Sequence, residues 1–407
     1  MTAAQPEPAP ACPVHDYSPY ELKPFGEWTA FYDRLRQEAP VVKNEFGRGY
    51  FIPTRHEDIL AVLQDPETFS STALVAYEPD PTYKWIPAMI GGEEHRQWRR
   101  QLGPYFAPRE IEKVDARVRA RARGLIEELA GRGSCDLMTD FALKFPTAVV
   151  LEIVGLPEED LPYLMALEED INHAIGDPGD VIRRKVTAID AVKRYLAEKI
   201  AQRRAEPADD LITKSLDMRI GDRPVTDDEL LNWWQFLVQA GLDSVAGMLG
   251  YFFHHLATRP ADRRRIVDQP ETIPAAMEEM MRAFSFIVTG RKVTRDTEIA
   301  GCPVAAGSMV QLALKMSGRD DGFYDNAAAV DFDRGTSNHL AFGAGPHRCL
   351  GSHLARRELR VALEEWHKVI PDYRLGEGEP ITEFGRSSGV NTLPLAWDVL
   401  REAADGT

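Results

Sequence analysis

Residues Phe342-Gly343-Ala344-Gly345-Pro346-His347-Arg348-Cys349-Leu350-Gly351 constrain what this chain can become more than any other stretch. Three glycines, a proline and one cysteine stand between a short apolar run and a strongly helical segment beginning near Ser352. Glycine admits positive φ and lets the main chain approach a flat ligand closely. A cysteine held there can aim its sulfur at a ligand while neighbouring amides aim at the sulfur, which favours the thiolate, the metal-binding form. A lone cysteine in a glycine-rich turn is ordinarily a small buried hydrophobe. Here the fixed spacing F-G-x-G-x-H-x-C-x-G is too long to arise readily by chance.

Elsewhere the chain reads as mainly helical. Trp28, Phe31, Tyr32 and Leu35 mark a helical stripe over 27–39. A short strand pair is expected over 41–53 and a helix over 55–64. Residues 70–92 carry prolines, Tyr83, Trp85 and Met89 without periodicity, which suits a long loop over a pocket. Glu93 to Arg100 open a helix on which His95 and Arg99 share one face. Helical periodicity runs over 111–130 and 141–154, and turns fall at Gly155-Leu156-Pro157 and Gly176-Asp177-Pro178-Gly179. Thr226 caps an unusually long helix expected to run to about 258, with an adjacent acid and hydroxyl at its centre in Ala240-Gly241-Leu242-Asp243-Ser244. A β-rich section follows from Arg291 to about residue 314, then a helix to about 370, with Ser387-Ser388-Gly389-Val390 as a hairpin tip.

Composition excludes several function classes. With 48 basic and 64 acidic residues the net charge is −16, which argues against nucleic acid. Four scattered cysteines, Cys12, Cys135, Cys302 and Cys349, suggest neither a disulfide framework nor a zinc site, and a reducing cytoplasm fits best. The first residues lack an apolar core and read as neither signal peptide nor membrane anchor. Residues 1–16 are expected to be a disordered proline-rich tail, and 17–407 a single domain.

The cysteine loop resembles the haem-ligating loop of cytochromes P450, in which a cysteine thiolate is the axial iron ligand. Three further motifs stand in that family's order. His95 and Arg99 resemble its propionate-holding pair, with Trp98 packed near the ring edge. Ala240, Gly241 and Asp243 resemble its long-helix motif, with Ser244 where the family has threonine. Glu279 and Arg282 resemble its E-x-x-R brace, for which Arg334 is the third partner. The resemblance implies a mainly α fold with a small β portion, the triangular helical prism that encloses haem b. It makes Cys349 the iron ligand and His95, Arg99, Arg291 and His347 the propionate anchors. Asp243 and Ser244 become the proton-delivering pair, and the small residues at 240 and 241 leave room for dioxygen.

Similarity is greatest to the soluble bacterial camphor 5-monooxygenase group. By that mapping Tyr83, Phe236, Gln239, Ala240, Phe286, Ile287 and Ser387 line the substrate site, with Tyr83 bonding a substrate oxygen. Gln239 and Ser387 imply a more polar pocket than camphor needs, so a compact, terpenoid-like substrate is expected. The implied function is a monooxygenase supplied with electrons by a ferredoxin and its reductase, acting as a cytoplasmic monomer. Arg99, Arg100, Arg348, Arg356 and Arg357 are expected to form a basic docking patch. The alternatives are a peroxide-using enzyme of the same family and a haem-binding sensor without catalysis.

Overall fold

The computed structural model describes residues 12–335, 338–386 and 389–399. Helices form most of it, and their ends follow local chemistry. Thr226 accepts from the Glu229 amide while Glu229 reaches back to the Thr226 amide, a reciprocal cap on the helix Asp227–Leu242. Asp177 caps the 28-residue helix Pro178–Ala205, with Pro178 at its first position. Gly155, at φ 89°, terminates Lys144–Val154. Glu383 is fully buried and accepts from the amides of Gly26 and Trp28, 3.0 Å each, at the start of Glu27–Glu38.

The largest core lies among Pro108–Ala130, Ser244–Thr258 and Ser352–Val369, where Phe141, Phe253 and Trp366 meet edge to face. Beside it stands a six-stranded sheet in the order Val14–His15, Val41–Asn44, Tyr50–Pro53, Met309–Ala313, Val288–Val293, Phe69–Ser70. The antiparallel register sets Arg291 opposite Val310, so the arginine is carried on a central strand. A roof is formed by Leu161–Glu168, the wide turn Glu169–His173 and Pro178–Ala205.

Three expectations change. The long helix expected over 226–258 is two helices, Asp227–Leu242 and Ser244–Thr258, divided at Asp243, where the family resemblance implied a distorted turn. This segment is apolar and long enough to cross a membrane, yet it is 67% buried within the protein, as a core helix is. Order begins before residue 17. Val14–His15 pairs in parallel with Lys43 and Asn44. Cys12 and Cys302, whose Cα atoms are 6.2 Å apart, form a disulfide, contrary to the reading of the cysteines as unpaired. That pair joins the N-terminal strand to the small hairpin of Thr297–Ile299 and Cys302–Val304, a contact that sequence spacing could not encode.

Candidate active site

A cavity of about 510 Å³ lies between the cysteine loop, the kinked central helix and the roof. The cysteine loop reaches it through a short 3₁₀ turn, Gly345–His347, after which Cys349 donates its amide to the Phe342 carbonyl at 2.9 Å. Gly345 has φ 67°, and any side chain there would strike the Leu63 carbonyl, so glycine is required twice over. Cys349 is exposed to the cavity. Burial of its surroundings pushes the thiol up, whereas the Gly351 amide and the guanidinium groups of Arg99, Arg348 and Arg356 oppose that shift.

Cations gather at one side of the cavity. Arg291 is buried and makes no ion pair among the described residues. Its hydrogen bonds go to Thr289 Oγ1 and the Gly290 carbonyl, and burial alone lowers it to about 10. The His95 and His347 rings face each other at a tilt of 37°, with centroids 4.1 Å apart. Burial, with Arg99 and Arg96 adding, lowers His95 to about 4. Burial, His95 and Arg291 lower His347 to about 3. His347 Nδ1 is buried without a hydrogen-bond partner in the described structure, and its Nε2 is 3.1 Å from Ser71 Oγ. Two arginines without an ion pair among the described residues, beside two neutral histidines that can donate hydrogen bonds, form a donor set suited to an anionic ligand. A flat group with two carboxylates and a metal facing Cys349 fits this donor set.

Opposite, the central helix breaks at Asp243, with φ −107° and ψ −35°. Ser244 Oγ donates to the Ala240 carbonyl at 3.1 Å, a back-bond that accompanies bent helices. Asp243 is buried and its Oδ1 lies 2.9 Å from His173 Nε2. Ala240 faces the cavity. Gly241 lines the cavity beside it, and a Cβ there would lie 2.7 Å from Val150 Cγ2. Its smallness lets two helices approach.

Phe236, Gln239, Phe286 and Ile287 line the cavity as expected. Tyr83 does not. It is buried off the lining, donating its hydroxyl to Glu78 Oε2 at 2.6 Å and accepting from Lys185 Nζ at 2.9 Å. Glu78 and Lys185 occupy the wall instead. Ser387 lies outside the described residues. Trp98 is fully buried against Trp233 and does not line the cavity.

The structural trio meets. Glu279 takes two bonds of 2.7 Å from Arg282 and one of 3.0 Å from Arg334, while both arginines hold backbone carbonyls between Gly318 and Ala329. The expected docking patch is largely spent internally: Arg100 pairs with Glu93, Arg356 with Glu278 and Arg357 with Asp115. Arg348 is exposed and has no ion pair among the described residues.

Sequence reasoning missed Glu78, Glu168, His173, Lys185 and Glu358. Their motif signal is nil: Glu168, Lys185 and Glu358 read as charges on solvated helix faces, and Glu78 and His173 as polar residues of a loop and a turn. Glu358 is fully buried at the cavity, Oε1 without a described partner, and burial holds its carboxyl well above the usual range.

Comparison with known proteins follows this geometry. A family model described as Cytochrome P450 matches residues 268–366. The chain is 34% identical over 354 residues to a probable cytochrome P450 127A1 of Sinorhizobium fredii (strain NBRC 101917 / NGR234), covering 86% of this chain and 84% of that one. It is 30% identical to the mycinamicin IV hydroxylase/epoxidase of Micromonospora griseorubida, covering 98% of this chain and all of the relative. The crystal structure of CYP101J2 superposes with TM-score 0.87 at 29% identity, covering 98% of this chain and 100% of the other.

Proposed function

The chain belongs to the cytochrome P450 family, and from that premise we propose that it hydroxylates a compact, largely apolar, terpenoid-like substrate within a single domain that takes in the N-terminal strand Val14–His15. It is a P450 monooxygenase, and its cofactor is haem b. When bound, haem supplies the activation of dioxygen from which one oxygen atom enters the substrate.

In this reading Cys349 is the iron ligand, and His95, Arg99, Arg291 and His347 hold the propionates. The single observation that carries it is the convergence, on one cavity, of a cysteine in an amide-lined loop, the buried Arg291 with no ion pair among the described residues, and the neighbouring His95 and His347. Asp243 and Ser244 are the pair that delivers protons at the cavity edge. Phe236, Ala240, Phe286 and Ile287 give the substrate an apolar wall, on which Gln239 is a neutral polar handle. Glu279, Arg282 and Arg334 brace the core beneath the cysteine loop. Electrons come from a ferredoxin charged by its reductase, which favours the cytoplasm as compartment and a monomer that leaves the cysteine side free. Arg348 is the candidate docking cation there.

The test is spectroscopic. Reduced, carbon monoxide-bound holoprotein is expected to absorb at the wavelength typical of thiolate ligation, and Cys349→His is expected to lose that band. An imidazole-like band in the unaltered protein would overturn the assignment.

A further inference from the structure

Beside the kink lies a buried charged cluster that neither the cofactor anchors nor the substrate wall employs. Glu168 ends the roof helix, His173 ends the wide turn behind it, and Asp243 is the kink residue. None is more than 6% exposed. One ring nitrogen faces both acids: His173 Nε2 is 2.9 Å from Asp243 Oδ1 and 3.6 Å from Glu168 Oε2. Asn172 Nδ2 donates to the other Glu168 oxygen at 2.7 Å, which fixes that carboxyl. Phe384 meets the imidazole edge-on at 5.1 Å, closing its far side with an apolar ring. The charged groups acting on His173 are Asp243 from the central helix, Glu168 from the roof helix and Glu169 from its own turn. Arg386, on the neighbouring C-terminal segment, is turned to the Ala174 carbonyl.

Two carboxyls and an imidazole this close and this dry titrate together. Burial opposes charge on the ring, but Asp243 and Glu168 outweigh it and raise His173 to about 9. Burial, reinforced by Asp243, raises Glu168. Near neutrality His173 and Glu168 therefore hold exchangeable protons beside Asp243, the member of the cluster that lines the cavity.

We propose that Glu168 and His173 recharge Asp243 with protons, sustaining proton supply to the cavity while the roof stays closed. This rests on the reading of Asp243 as proton donor. In each transfer the Nε2–H bond of His173 breaks as an O–H bond forms on Asp243 Oδ1, leaving a neutral imidazole. The O–H bond of Glu168 then breaks and Nε2–H is restored. Glu168 regains its proton from water through its remaining exposed edge, 7% of the side chain. Imidazole suits this task because it can surrender a proton at working pH, which a guanidinium cannot. His173 acts through Asp243 and is a positioning and relay residue.

The experiment uses holoenzyme. In the diamagnetic ferrous carbon monoxide form, labelled histidine resonances are followed by NMR from pH 6 to 10, with His173→Gln giving the assignment. The expected result is a His173 midpoint well above the ordinary ~6.5, falling by a unit or more in Glu168→Gln. Because this group is raised on folding, its contribution to stability is complete below the unfolded midpoint and lost as pH climbs through about 9. Turnover is measured with NADH, a bacterial [2Fe–2S] ferredoxin and its reductase, using as probe the monoterpenoid that gives the largest spin shift. His173→Arg preserves the positive charge but not the transferable proton. It is expected to keep the spin shift and carbon monoxide band while product-forming turnover falls at least tenfold. Wild-type turnover in His173→Arg, or an ordinary His173 midpoint, overturns the relay. Asp243→Asn separates the two readings: undiminished turnover there removes Asp243 as donor and the relay with it, whereas slow Asp243→Asn beside fast His173→Arg removes the relay alone.

Discussion

At the scale of single residues, Tyr83 and Gln239 divide the polar work of the cavity differently from what their chemistry suggests. The Tyr83 hydroxyl is occupied by Glu78 and Lys185. Gln239 Oε1 accepts from Gln235 at 2.8 Å, and its Nε2 makes only a long 3.4 Å contact to Asn172, leaving N–H capacity toward the cavity. Replacing Gln239 by leucine is expected to raise the spin-shift dissociation constant of monoterpene ketones and ethers about fivefold, the worth of a hydrogen bond near 1 kcal/mol. Binding of the matching hydrocarbons is expected to hold or tighten, and equal losses for both classes would contradict the handle. Glu279 belongs to stability. Because Arg282 is fully buried, Glu279→Ala leaves an uncompensated charge and should cost about 3–5 kcal/mol, read from the denaturant midpoint of the holoprotein. Cys349 was legible because a ten-residue pattern carries its own context. His173 and Glu168 were not, because a glutamate and a histidine five apart on a roof segment acquire meaning only when the chain folds them onto Asp243, 70 residues beyond His173.

At the scale of elements, the central helix shows how adjacent small residues serve unlike ends. Ala240 and Gly241 both border the cavity, and Gly241 in addition admits Val150 of the helix Lys144–Val154, toward which a side chain there would point. Substituting valine at the two positions should therefore separate cleanly. Gly241→Val overpacks a helix contact and is expected to destabilise by about 1–3 kcal/mol with the spin-shift response largely retained. Ala240→Val is expected to leave the unfolding midpoint within about 0.5 kcal/mol and weaken substrate binding severalfold, because it fills free space. Parallel losses in both assays for both variants would show that the positions are not distinct. The sequence made the helix plain through its cap and apolar run, and it flagged the polar centre. The resemblance implied a distorted turn at that centre, and the structure gives it the form of a division at Asp243. The parallel strand at Val14–His15 escaped because its pairing is with residues nearly thirty positions on.

At the scale of the whole molecule, the prism of helices with its small sheet follows from four motifs standing in order, and that arrangement was readable before any coordinates. The manner of closure was not. Lys185 comes from the 28-residue roof helix, whereas Glu78 and Tyr83 come from the long loop before Gly92. Their bonds of 2.6–2.9 Å join roof to loop across the cavity wall, and Lys185 Nζ also sits 4.7 Å over the Tyr83 ring. Lys185→Met keeps the length of the side chain and removes the ion pair. Stopped-flow spin-shift kinetics are expected to show faster association and faster release in this variant, with the equilibrium constant changed less than either rate. Unchanged rates would show that ligands pass elsewhere. The pairing is out of bulk water, so added salt should scarcely loosen it. A molecule guarded this way sorts candidates by how long they wait at the threshold as well as by how well they fit inside, and an occupant once admitted is detained long enough for a slow electron donor to arrive.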